Sequence, residues 1–187
     1  MSLTILDPNS ALVVVDLQKG LAGLPFVHPL DGIIERNRAL LDAFRAHRLP
    51  VVLVNVVGGA PGRTEQPPRV TQGRPADFAD LLPGLDRKPD DILVTKRTWG
   101  AFASTDLDAQ LKALGVTQII VTGVATGTGV EATARQAYEA GYNVTLPTDA
   151  MTDLRVEAHD HTTTRVFPRL GETGLTQDAL ALLAERP

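Results

Sequence analysis

Gly123-Val124-Ala125-Thr126-Gly127-Thr128-Gly129-Val130-Glu131-Ala132 stands between a β-branched run and a helical stretch. Running into it, Gln118-Ile119-Ile120-Val121-Thr122-Gly123 reads as a strand. After it, Gly129 to Ala140 reads as a helix ended by a glycine, Gly141. A strand passing through a glycine-rich turn directly into a helix is half of a βαβ unit.

The same alternation runs outward in both directions. Ala11 to Asp16 is apolar without alternation, the pattern of a strand buried on both faces, and is followed by a helix over Asp31 to Arg48 with Ile33, Ile34, Leu40, Leu41 and Phe44 at helical spacing. Pro50 stops that helix, and Val51 to Val57 is the next strand. Residues 58–75 form a long loop, a length more often functional than incidental. Asp91 to Thr95 predicts a strand, Thr105 to Leu114 a helix closed by Gly115, and Tyr142 to Leu146 a further strand. Arg155 to Arg165 reads as helical, Val166 to Leu170 as a last edge strand, and Gln177 to Glu185 as a final helix. Alternating strands and helices predict an α/β fold: a three-layer sandwich, with a mostly parallel sheet of about six strands and helices on both faces. The 187 residues predict one domain.

Composition narrows the function. Net charge is −4 with no basic stripe, which argues against nucleic acid as a partner and equally against an anionic membrane. The absence of cysteine excludes disulfides, thiolate metal sites and thiol catalysis. Met1 to Pro8 lacks the basic and apolar regions of a signal peptide, and no apolar run approaches a membrane span, so a cytoplasmic protein is expected.

In parallel sheets ligands bind beyond the carboxyl ends of the strands, which directs attention to Asp16, Asn55, Lys96 and Gly123 to Gly129. Asp16 reads either as a turn cap or as a partly desolvated carboxyl whose burial raises its pKa into the range of a usable acid or base. Lys96 opposes that shift if it lies nearby, and the net direction stays open. Trp99, the only tryptophan, reads either as core filling or, with Phe102, as a flat pocket wall. Arg63, Arg69 and Arg74, in or beside the long loop, read either as anion contacts or as solvated side chains. His159 and His161 lie two apart on a helix and so face different sides as surface residues; His28 and His47 read as unpaired. No required metal and no cofactor are expected.

The glycine turn has two readings. Gly127 to Ala132 matches the looser dinucleotide fingerprint G-x-G-x-x-A, with Asp149 as the downstream acid, although little chain remains after the fourth strand to complete such a fold. Alternatively, the turn presents backbone N–H groups above a helix N-terminus, where they stabilise negative charge.

Asp16-Leu17-Gln18, Lys96-Arg97 and Gly123-Val124-Ala125-Thr126 leading into Val130-Glu131-Ala132-Thr133-Ala134-Arg135 together resemble the isochorismatase-like hydrolases, from about Ala11 to Leu170. Many members of that superfamily are amidases with an Asp–Lys–Cys triad. The resemblance implies Asp16 as acid or base, Lys96 as the lysine, and Gly129 at the nucleophile position. It further implies a cis peptide between Val124 and Ala125, oxyanion donors at Ala125 and Gly129, and a homo-oligomer acting on a small-molecule substrate. Gln18, Trp99, Phe102, Ala125 and Thr126 make up the expected substrate-binding set. Glycine supports no thioester, whereas isochorismatases cleave a vinyl ether with the aspartate as acid and need no nucleophilic side chain. In that scheme Gly129 leaves room for a substrate ring. The alternative is a homologue that binds ligand without turning it over.

Overall fold

The computed structural model describes residues 3–65 and 73–186. Among these residues, seven strands form one parallel sheet in the order β3-β2-β1-β4-β5-β7, with β6 paired to the carboxyl end of β4. The strands are β1 (Ser10–Val15), β2 (Val51–Val56), β3 (Ile92–Lys96), β4 (Gln118–Val124), β5 (Asn143–Pro147), β6 (Met151–Thr152) and β7 (Glu172–Gly174). The helices are α1 (Lys19–Ala22), α2 (Leu30–Ala46), α3 (Leu107–Ala113), α4 (Glu131–Glu139), α5 (Val156–His161) and α6 (Thr176–Ala184).

Both faces of the central strands are apolar because both are covered. Ala11, Val13 and Val15 of β1 pack with Leu107 and Leu111 of α3 and Val130, Ala134 and Ala137 at α4. Leu12 and Val14 pack with Ile33, Leu40, Leu41 and Phe44 of α2 and Ala179 and Leu183 of α6. The result is the expected three-layer α/β sandwich. Among the described residues, no helix is long and apolar enough to cross a membrane.

Two parts of the reading are corrected. Val166 to Leu170 is not an edge strand: a π-helical turn (Thr162–Val166) and a 3-10 turn (Phe167–Arg169) carry α5 onward, burying Val166 and Phe167, and the edge strand is β7. The helix after β4 does not begin at Gly129 but winds up from Thr126 as a π-helical turn (Thr126–Val130), called the glycine turn below.

Gly141 ends α4 at φ +92°, and an added Cβ there would meet nothing within 4 Å. Gly141→Ala therefore carries only the backbone strain of the left-handed region, about 1 kcal/mol. For a chain of this size, a thermal melt should show a loss of roughly 2–4 °C.

Candidate active site

Asp16 follows directly on β1. Alternation along the strand would send it to the face of Leu12 and Val14, whereas Lys96, in register with Val94, lies on the face of Val13 and Val15. The backbone of Asp16 resolves this at φ +56°, a left-handed conformation that aspartate tolerates better than most residues. Its N–H donates to the Val54 carbonyl at 2.8 Å, and its own carbonyl accepts from the Gln18 N–H at 2.9 Å, fixing the turn.

Lys96 Nζ donates to Asp16 Oδ2 at 2.7 Å and to the Thr98 carbonyl at 3.1 Å. Lys96 is 1 % exposed and Asp16 5 %, so the pair is out of water. Burial pushes the Asp16 carboxyl up from 3.8 to about 6; the charge and hydrogen bond of Lys96 act in the opposite direction and do not cancel it. Asp16 Oδ1 has no hydrogen-bond partner among the described residues.

Gly129 faces this pair. A Cβ there would lie 3.2 Å from Asp16 Oδ2, 3.0 Å from the Val124 carbonyl oxygen and 3.2 Å from Val15 Cγ1. The bare α-carbon thus lets the glycine turn close onto the acid. Those three atoms crowd the space that a side chain would take at this position. The Val124–Ala125 peptide is cis, where the resemblance places it. The Ala125 carbonyl accepts from the N–H groups of Thr128 (3.0 Å) and Val130 (3.2 Å), drawing the turn tight.

The other expected contacts are distributed differently. Gln18 is fully buried, and its amide donates to the carbonyls of Val56 (3.1 Å) and Phe78 (2.9 Å) while accepting from the Val56 N–H (2.7 Å). It bolts the end of β1 to β2 and to the segment 77–82, with both amide hydrogens engaged. Trp99 is 66 % exposed and so fills no core. Phe102 packs on the α3/α4 face, its ring 5.9 Å from that of Tyr142. Ala125 is half-buried, and Thr126 is buried with its hydroxyl 2.9 Å from His159 Nδ1. Arg63 is exposed, Arg74 lies over the Phe78 ring at 4.4 Å, and Arg69 lies outside the described residues.

The histidines need correction as well. His159 is buried, not a surface residue, and burial lowers its pKa. His28 is paired: its ring stands edge-on to His159 at 4.8 Å, and its N–H and Nδ1 both lie 3.1 Å from Thr152 Oγ1. Among the described residues, no group of three or more His, Cys, Asp or Glu side chains is placed to hold a metal ion.

The residue that sequence reasoning missed is Asp153, whose Oδ2 accepts from the Gly127 N–H at 2.7 Å. That bond weighs against a dinucleotide at the turn, since a protein carboxylate already sits where a phosphate would. Asp149, the acid that reading required, is taken up by Thr176 N (2.7 Å) and Oγ1 (2.8 Å) and by Arg36 Nε (3.2 Å).

The fold that brings these residues to one sheet edge has counterparts among known proteins. The isochorismatase domain matches residues 10–178, and the chain belongs to the isochorismatase family of hydrolases. An uncharacterized isochorismatase family protein of Bacillus subtilis, YwoC, is 39% identical over 181 residues, covering 92% of this chain and 93% of that one. An isochorismatase family protein from Burkholderia thailandensis superposes with a TM-score of 0.91 at 38% identity, covering 96% and 98% of the two chains. The streptothricin hydrolase of Streptomyces noursei is 39% identical over 142 residues, which are 75% of this chain and 48% of that protein.

Proposed function

We propose that this hydrolase cleaves a small enol ether by acid catalysis at Asp16, without a covalent intermediate. The observation that carries the reading is the Asp16 carboxyl itself: buried, raised to about 6, and bonded to Lys96 through Oδ2 only, which leaves Oδ1 to hold and deliver a proton. No cysteine stands anywhere in the chain to form a thioester.

In this scheme Asp16 Oδ1–H protonates the terminal carbon of the substrate's C=C–O unit. The π electrons form the new C–H bond, and the oxygen lone pair stabilises the resulting oxocarbenium ion. Water adds to the oxygen-bearing carbon of that ion and returns its proton to Asp16. The hemiketal then collapses to a ketone and an alcohol. Before transfer the site holds a neutral acid beside a buried ammonium; after transfer it holds a carboxylate and an ammonium 2.7 Å apart. Lys96 therefore stabilises the charge that develops on Asp16, the arrangement by which preorganised charge lowers a barrier. Because Asp16 is neutral when the substrate binds, it does not then neutralise the Lys96 charge, and an anionic substrate is favoured.

The test is turnover of a panel of enol ethers, isochorismate among them, alongside amides such as nicotinamide. Hydrolysis of an enol ether with no amide turnover is expected. Ligand binding without turnover across the panel would instead support a catalytically silent binding protein, and amide hydrolysis would contradict the proposed chemistry.

A further inference from the structure

The glycine turn is tied down from one direction. Two side chains in the segment 153–162 hydrogen-bond to it, and a third to the residue just after it: Asp153 Oδ2 accepts from the Gly127 N–H at 2.7 Å, His159 Nδ1 meets the Thr126 hydroxyl at 2.9 Å, and Thr162 Oγ1 donates to Glu131 Oε2, at the start of α4, at 2.7 Å. The first two of these side chains are 6 % and 9 % exposed, and Thr162 is 2 % exposed. Asp153 is itself fixed, since its Oδ1 accepts from the Leu154 N–H (2.7 Å) and the Arg155 N–H (3.3 Å) at the start of α5. Its carbonyl accepts from the Val27 N–H at 2.9 Å, and His28 packs edge-on to His159. The turn is thus a rigid extension of α5, and Gly129 at its far end lies against Asp16.

We propose that Asp153 and His159 are positioning residues, which hold the glycine turn down over Asp16 so that the Gly129 backbone shuts water away from the acid. Neither touches the reacting atoms. The proposal rests on the reading of Asp16 as the acid, and it extends that reading to what keeps the acid dry. Around Asp16, the charged group that acts on it among the described residues is Lys96, from β3. From the glycine turn, the α-carbon of Gly129 faces Asp16 Oδ2, and Asn55 at the end of β2 is uncharged and donates to the Ala79 carbonyl. With the turn released, water reaches the carboxylate, and solvation favours its ionised form.

The experiment is a titration of the Asp16 carboxyl, followed by NMR on protein carrying ¹³C at its aspartate carboxyls and assigned with Asp16→Asn. Wild type should titrate near 6. In Asp153→Ala the midpoint should fall by a unit or more, at least a tenfold loss of proton affinity. Asp153→Asn keeps an acceptor oxygen for Gly127 while removing the charge, and should stay close to wild type. Asp149→Ala breaks ties to Thr176 and Arg36 away from the turn, and should leave Asp16 where it was.

An unchanged midpoint in folded Asp153→Ala overturns the proposal, as does an equal shift in Asp149→Ala. A fall as large in Asp153→Asn as in Asp153→Ala also overturns it, because charge rather than position would then be the cause. If Asp153→Ala does not fold, His159→Gln decides in the same way: a lowered midpoint supports the proposal and an unchanged one overturns it. Failure of wild type to hydrolyse any enol ether, with these shifts intact, would remove the hydrolytic reading and leave the positioning role standing.

Discussion

Asp16→Asn leaves a folded protein that has lost its hydrolysis. Asparagine is among the few residues that accept the left-handed backbone this position demands at φ +56°. Its side-chain oxygen replaces Asp16 Oδ2 as the acceptor for Lys96 Nζ. What it lacks is a proton to deliver. A positioned general acid is worth about 10²–10⁴ in rate, so kcat/KM on the enol ether that wild type turns over should fall by that factor. In barrier terms this is roughly 3–5 kcal/mol. The loss should appear in kcat, because the acid acts in the transition state. Below the unfolded value of 3.8 the variant should match wild type in stability, because Asp16 is then neutral in both states; as pH rises through about 6 wild type loses the stability that its raised folded pKa confers, and the variant should not. Equal turnover by wild type and variant would contradict the assignment of Asp16 as the acid.

Lys96→Met should have the largest effect on stability, and that effect should depend on pH. Methionine fills much of the lysine stem's volume and leaves the carboxyl buried without a cation. Breaking a buried pair from one side costs about 3–5 kcal/mol. Both influences that lower the Asp16 pKa come from Lys96, so their removal leaves burial unopposed and lifts the folded-state value above 6. A raised folded pKa gives stability that is fully present below the unfolded value of 3.8 and is lost as pH rises through the folded value. Denaturant unfolding should therefore show a modest loss at pH 5 and the full loss at pH 8. A loss of equal size at both would mean that packing, not charge, is what Lys96 supplies.

The parts of the site legible in the sequence were those that strand topology determines. Asp16 and Lys96 each end a buried strand, and a parallel sheet brings such ends to one edge. The glycine turn stood out because three glycines in seven residues between a strand and a helix have few other uses. The φ of Asp16 was not legible, since strand alternation alone sends its side chain to the wrong face. Nor was Asp153, which carries no motif and acts through one backbone N–H that only the folded chain brings near. His159 was misread because helical spacing says which way two histidines diverge but not what covers either of them. Here His28 and Thr126 do, from distant parts of the chain. Val166 to Leu170 is short and partly apolar, as strand and turn alike can be, and Pro168 sits in the 3-10 turn that the structure shows.

The pH dependence of kcat/KM for the hydrolysed enol ether tests the central claim most directly. A protonated Asp16 required for the chemical step predicts a plateau on the acidic side and a fall approaching tenfold per unit above about pH 6. A rate that rises with pH through the same midpoint would mean that Asp16 works as a base, and would contradict acid catalysis.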